Sequence, residues 1–368
     1  MNENEKIKEK YTRKLLILTH RNTDKYGFII TETPKTSSSL TLADKWEKLL
    51  NSTKYKNIDK REIEKRFLIE SKKAKSLVFK GIPLLMKYKI WKMFFKEKKS
   101  IFMNQRNAKI RDLGISKDQN CITTKFSSID INETNKIQNY EKYRAQVCSY
   151  EHQIHVDVQR TFRKHVLFFD EYGLGQCRLF NVLVAFANIY PEIGYCQGMS
   201  SFTALILMYF PEKEAFIVLI DLFKYNNLFS LFDKNLSGVR IILKIQSALI
   251  QTLLPSVYKH LIKNEIEMSV FVFSWYLTLF TRFNIDLVLR IWDLFIFYDF
   301  TVLLLVGVAL LRYCKDNLLS LDGESLLHFI TSLESMIFDP DKIVKYVKEF
   351  MSSIDIEKYK EELNIGYN

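Results

Sequence analysis

Glycine and proline are scarce in this chain, with 11 and 6 copies among 368 residues. A turn-rich all-β fold needs both at its many corners, so that class is disfavoured. The five cysteines (Cys121, Cys148, Cys177, Cys196, Cys314) are an odd number without C-x-x-C spacing. Such usage points to reduced thiols in the cytosol and against a disulfide scaffold or a zinc site. His152 and His155 stand three apart with no second ligand pair after them, so they read as surface histidines. The first ten residues are charged and lack the apolar stretch of a signal peptide. No G-x-x-x-x-G-K-S/T loop occurs, so the chain is not expected to hydrolyse nucleotide itself. Long uncharged apolar runs are missing as well. Met268–Phe280 is too short to span a bilayer and Leu294–Leu311 is interrupted by Asp299, so both read as buried core helices.

Core-forming residues are abundant. Apolar residues make up 48% of the chain and include 28 Phe and 19 Tyr, enough for a sizeable core. The formal charge of +12 is uneven: residues 1–150 hold 34 Lys and Arg against 17 Asp and Glu, whereas residues 151–368 hold 20 against 25. A basic first part reads most simply as a solvated surface. Its functional reading is attraction to an anionic membrane surface, and a nucleic-acid partner is not expected because the lysines lack aromatic interleaving.

Helical periodicity begins near Ala43, with Trp46, Leu49 and Leu50 on one side, and Ile63, Phe67 and Ile69 hint at another helix. After Gly81-Ile82-Pro83, Leu84–Phe95 returns Leu85, Tyr88, Trp91 and Phe95 near helical spacing. Residues 97–138 lose the pattern and read as a flexible insertion rich in Lys, Asn, Ser and Thr. Further helices are expected over 176–189, 199–209, 212–224, 236–250, 265–280, 284–297, 301–315 and 323–336. With no alternating strand pattern, the fold class is all-α.

Two short segments carry the functional signal. Ile154, Val158, Phe162 and Val166 form an i, i+4 stripe, and at 100° per residue Arg160 lies opposite it, with Asp157 one turn earlier on the polar side. Gly194-Tyr195-Cys196-Gln197-Gly198-Met199 places one glutamine in a turn between glycines that tolerate positive φ. Arg160 on its own is equally a solvent-facing arginine paired with Asp157, and Gln197 equally part of a turn entering a helix. Together, with no base or nucleophile beside them, they suit loan to another protein's phosphoryl-transfer site.

Other motifs stand around these in a fixed order. Asp24-Lys25-Tyr26-Gly27-Phe28, Lys45-Trp46, Gly81-Ile82-Pro83 and Trp91 precede the arginine segment, and Leu289-Arg290-Ile291-Trp292-Asp293 follows the glutamine. The set resembles the TBC-domain family of GTPase-activating proteins for Rab-type small GTPases, over about residues 76 to 340. The resemblance implies a TBC-type helical domain in two subdomains, with the GTPase docking in a groove between them. It implies that Arg160, in I-x-x-D-x-x-R, and Gln197, in Y-x-Q-G, enter the partner's nucleotide site. Asp157 is then expected to orient Arg160, and Tyr195 and Gly198 to shape the glutamine turn. Trp91, Trp292 and Asp293 match structural positions.

Lys87 stands where the family usually has arginine, keeping the charge but losing the fork. Arg163 replaces a frequent proline, and Tyr298-Asp299 stands where a small residue is common. The implied division is a basic lead-in over 1–75, the GTPase-activating domain over 76–345 and a C-terminal tail over 346–368. The implied partner is a GTP-bound Rab-type GTPase. GTP and Mg2+ belong to that partner, so the chain needs no cofactor of its own. A cytoplasmic protein peripheral on endomembranes, regulating vesicle traffic, is expected; a scaffold that binds the GTPase without accelerating it is the alternative.

Overall fold

The computed structural model describes residues 23–29, 40–51, 68–112, 133–226, 228–229, 231–233, 237–355 and 358–359. Among these the structure is all-α, with only isolated bridges at Thr23–Ile29 and Phe28–His165.

Two predominantly apolar, largely buried helices organise it. Leu174–Ile189 (α6) is surrounded by Glu133–Ala145 (α4), Glu151–Arg160 (α5), Met199–Leu207 (α7) and Glu212–Tyr225 (α8). Thr301–Tyr313 (α13), buried from Thr301 through Leu311, is the second hub. Around it pack Ser237–Leu253 (α9), Ile285–Phe297 (α12), Lys315–Ser320 (α14) and Pro340–Ser353 (α16). Pro255–Lys263 (α10), Ser269–Leu277 (α11) and Gly323–Thr331 (α15) complete that second subdomain.

Leu40–Leu50 (α1) and Lys72–Val78 (α2) lead into Lys87–Asp112 (α3), which spans the two subdomains by packing on both α8 and α12. A buried polar knot fixes that crossing. The Asp293 carboxylate on α12 accepts from Lys87 Nζ at 2.6 Å, from Trp91 Nε1 at 2.9 Å and from the Ile82 amide at 2.8 Å. Burial pushes the Lys87 ammonium below its ordinary value while Asp293 pulls it back. The Trp46 indole donates to the Gly81 carbonyl at 2.9 Å, docking α1 on the same corner.

Three sequence expectations need correction. Helix α3 continues unbroken through Asp112 and α4 starts at Glu133, so 97–112 and 133–138 are helical rather than an insertion. Lys, Glu, Gln, Met and Arg are good helix formers, and no Gly or Pro interrupts α3. Glu97 even anchors the preceding turn Leu68–Glu70 by accepting from the Leu68 and Ile69 amides at 3.1 and 2.9 Å. Residues 113–132 lie outside the described residues, as does most of the helix expected around Ile63–Ile69. The divisions at 75 and 345 fall inside α2 and α16. Finally, the four-residue stripe ends early, because α5 stops at Arg160 and Phe162 takes a φ of +44°.

The two apolar runs behave as core. Asp299 interrupts the second just before α13, its carboxylate accepting from the Thr301 amide at 2.8 Å. Among the described residues no single helix is long and apolar enough to cross a membrane; one bent pair, α9 with α10, meets the length and composition test.

Candidate functional site

Between the subdomains lies an open cleft of about 1090 Å³. Asp157, Arg160, Gln197, Gly198 and Ser200 come from one side, and Phe273, Ser274, Leu277 and Arg282 from the other. Arg160 and Gln197 therefore share one cavity.

Helix α5 delivers the arginine. Ile154 and Val158 are fully buried against α6, so the opposite face, carrying Arg160, is turned outward. The helix ends there because Thr161 adopts extended backbone, its hydroxyl donating to the Asp157 carbonyl at 2.6 Å and standing 2.9 Å from Ser200 Oγ. Phe162, with its positive φ, turns the chain back. A non-glycine residue in that region costs about 1–3 kcal/mol and persists only when its surroundings enforce it.

Asp157 is buried rather than on a polar face. Its Oδ2 accepts from the Tyr195 hydroxyl at 2.5 Å, and its Oδ1 from Arg160 Nε at 2.9 Å and Nη2 at 2.6 Å. Burial, then the bond to Asp157, raises the Tyr195 pKa, so the phenol stays a donor. The carboxylate thus holds the guanidinium by one edge. A guanidinium has five N–H donors in a planar fork. Two are committed to Asp157, and the side chain is 59% exposed, so the remaining edge faces the cleft.

The glutamine turn is set by two glycines. Gly198 has a φ of +107°, and a Cβ there would stand 2.7 Å from the Leu277 carbonyl oxygen. Gly194 has a φ of +64°, and a Cβ there would strike the Tyr150 ring at 2.2 Å. Between them Tyr195 points inward and Gln197 outward, exposed; among the described residues no hydrogen bond engages its carboxamide. Burial, then Asp157, pushes up the neighbouring Cys196 thiol, which keeps it protonated and a poor nucleophile.

Sequence reasoning missed several cleft residues. Lys164 follows the arginine turn, and Arg282, 57% exposed, pairs with Glu334 at 2.9 Å. Asp24 and Phe28 line the cleft from the segment preceding α1. Only their motif in sequence, without periodicity, signalled that segment. His152 is exposed and His155 stacks on Tyr172 at 5.8 Å. Among the described residues no cluster of three or more His, Cys, Asp or Glu could hold a metal ion.

Comparison with known proteins identifies the family. The family model described as the Rab-GTPase-TBC domain matches residues 86–319, well over half of the chain. The human ecotropic viral integration site 5 protein homolog is 33% identical over 210 residues, 55% of this chain and 26% of its own length. The Caenorhabditis elegans Rab GTPase-activating protein eat-17 is 32% identical over 191 residues, 52% of this chain and 21% of its own. The chain therefore spans about a quarter of the length of these relatives. Among solved structures, the Chlamydomonas flagellar RabGAP TBC domain aligns with a TM-score of 0.61 at 21% identity, covering 89% of this chain and 98% of that one. The Ypt/Rab-GAP domain of Gyp1p aligns at 0.60 and 18% identity, covering 86% and 98%. Those two share the fold. With the family model matched across both walls of the cleft, the chain belongs to the RabGAP-TBC family.

Proposed function

We propose that this protein accelerates GTP hydrolysis by a Rab-type small GTPase, supplying Arg160 and Gln197 in trans. One observation carries this reading. The free edge of the Arg160 guanidinium and the Gln197 carboxamide line the same open cleft, each on a backbone turn held by buried contacts.

GTP hydrolysis spreads negative charge over the bridging and leaving oxygens of the phosphates. Arg160 would stabilise that charge with preorganised donors, and Gln197 would accept from and donate to the attacking water. Asp157 and Tyr195 hold the arginine in its working rotamer. The nucleotide and Mg2+ come with the GTPase; this chain contributes no phosphate loop and hydrolyses nothing alone. We place the protein in the cytoplasm, peripheral on endomembranes in vesicle traffic, with the basic first part attracted to anionic lipid.

Single-turnover hydrolysis across a panel of purified GTP-loaded Rab proteins tests this, with Arg160→Ala and Gln197→Ala as controls. Acceleration of at least one Rab that both variants abolish supports it. Binding without acceleration by the unaltered chain would favour the scaffold reading, and full activity of Arg160→Ala would remove the arginine from the mechanism.

A further inference from the structure

The segment Thr23–Ile29 lies outside the family-matched residues 86–319, yet it contributes Asp24 and Phe28 to the cleft. It is a closed turn: the Asp24 carboxylate accepts from the Tyr26 and Phe28 amides at 2.8 and 2.9 Å, and Gly27 takes a φ of +92°.

It is tied down on both sides of the cleft. Toward the first subdomain, the Ile29 amide donates to the Lys164 carbonyl at 2.7 Å and the Val166 amide to the Gly27 carbonyl at 2.8 Å. The Phe28 ring meets Phe162 edge-on at 6.0 Å, bracing the positive-φ residue that follows the arginine helix. Toward the second subdomain, the Tyr26 hydroxyl donates to Asp286 in the first turn of α12, and Lys25 Nζ lies 3.4 Å from the same carboxylate.

We propose that Thr23–Ile29 is a positioning strap, which clamps the turn after Arg160 to α12 and so sets where the guanidinium stands in the cleft. Tyr26 and Asp286 act through Arg160 and are positioning residues; neither lines the cleft. Its contacts run from the arginine turn on one side of the cleft to α12 on the other. Loosening it lets the Phe162 backbone relax, and misplacement by about 1 Å costs up to roughly 100-fold in rate. The kinetic half of this inference rests on the proposed function; the mechanical half does not.

Three full-length variants test it: Tyr26→Phe, Asp286→Ala and Asp286→Asn, the last keeping an acceptor oxygen. Single-turnover hydrolysis is measured at saturating and sub-saturating concentrations, and amide exchange is followed at Ile29 and Val166. Tyr26→Phe and Asp286→Ala should lower the saturating rate about tenfold, leaving the half-saturating concentration within about twofold. Both should speed exchange at the two amides, and Asp286→Asn should restore both readouts. An unchanged saturating rate, or unaltered exchange at Val166, would overturn the strap. If the unaltered chain accelerates no Rab, the proposed function fails, and exchange at Val166 alone then decides for or against the clamp.

Discussion

Two carboxylates in this molecule do nearly the same thing in different places. Asp157 gathers a tyrosine hydroxyl and an arginine, and Asp293 gathers a tryptophan N–H and a lysine. In the second trio both partners are buried, with Lys87 and Asp293 at 2% and 0% exposure. In the first, Asp157 is 6% exposed but Arg160 is 59% exposed. The buried trio closes its hydrogen bonds inside the protein and joins α3 to α12. The cleft trio holds only one edge of its cation and leaves the other for something outside. The contrast separates a joint from a tool. It also gives Lys87 a reason to suffice where the fork of an arginine is not needed, since it is a point charge on one carboxylate.

The contrast breaks most sharply at Arg160. Arg160→Lys keeps the charge and, reaching Asp157, should leave thermal stability unchanged. It should nevertheless lose roughly 10³–10⁵ in stimulated hydrolysis, about 4–7 kcal/mol of barrier. A lysine variant that retained stimulation within about tenfold would mean charge alone suffices and the planar fork is irrelevant.

Asp293→Ala should show the reverse. It leaves Lys87 buried without its carboxylate and strips the Trp91 indole and the Ile82 amide of their acceptor. Removing one partner of a buried pair costs about 3–5 kcal/mol, lowering Tm by on the order of 10 °C in a calorimetric scan. The matching Asp157→Ala should cost less, about 1.5–3 kcal/mol of stability, because Arg160 turns to solvent and only the Tyr195 hydroxyl is left buried without its acceptor. If both variants were equally destabilised, the two trios would not differ in kind.

Much of this was legible in sequence, and the failures have physical causes. Arg160 and Gln197, singled out by local apolar and glycine patterns together with the family resemblance, both line the cleft, and the helical wheel turns Ile154 and Val158 inward, where they are buried. The burial of Asp157 was invisible, since the group that covers it, Tyr195, arrives from a turn 38 residues later. The stripe was read through Phe162 and Val166 because a positive φ at a phenylalanine has no sequence signature. Lysine-rich α3 was mistaken for an insertion beyond residue 97, as apolar periodicity fades where a helix leaves the core. The tie between Tyr26 and Asp286 spans 260 positions and could come only from the fold.

Tyr195→Phe probes the cleft trio more gently. Loss of one hydrogen bond to a carboxylate should cost about 1.5–3 kcal/mol, read as a lower midpoint in urea. Rate should fall by roughly tenfold as Arg160 loses its fixed rotamer. An unaltered rate at full Rab occupancy would show that Asp157 holds the arginine unaided.

The smallest effect tests the connection between the trios, because the strap joins the turn after α5 to the helix that carries Asp293. His165 sits under it, buried, with Nε2 at 2.9 Å from the Tyr26 carbonyl and Nδ1 facing the Leu167 amide at 3.2 Å. That arrangement needs the neutral ring, with its proton on Nε2, since Nδ1 must accept. Burial accordingly pushes the His165 pKa below its usual 6.5. The unfolded chain then binds a proton that the folded chain does not, so stability rises with pH through this window. The contribution is complete above pH 6.5 and is lost as pH falls below it toward the depressed folded value. Comparing urea midpoints of the unaltered chain and His165→Gln between about pH 5 and pH 7.5 isolates this group from the carboxylates. The glutamine amide can still donate to Tyr26 but cannot titrate, so the variant should have the shallower acid-side slope. Identical slopes would mean that His165 takes up its proton equally in the folded and unfolded chain, so that burial under the strap does not shift it.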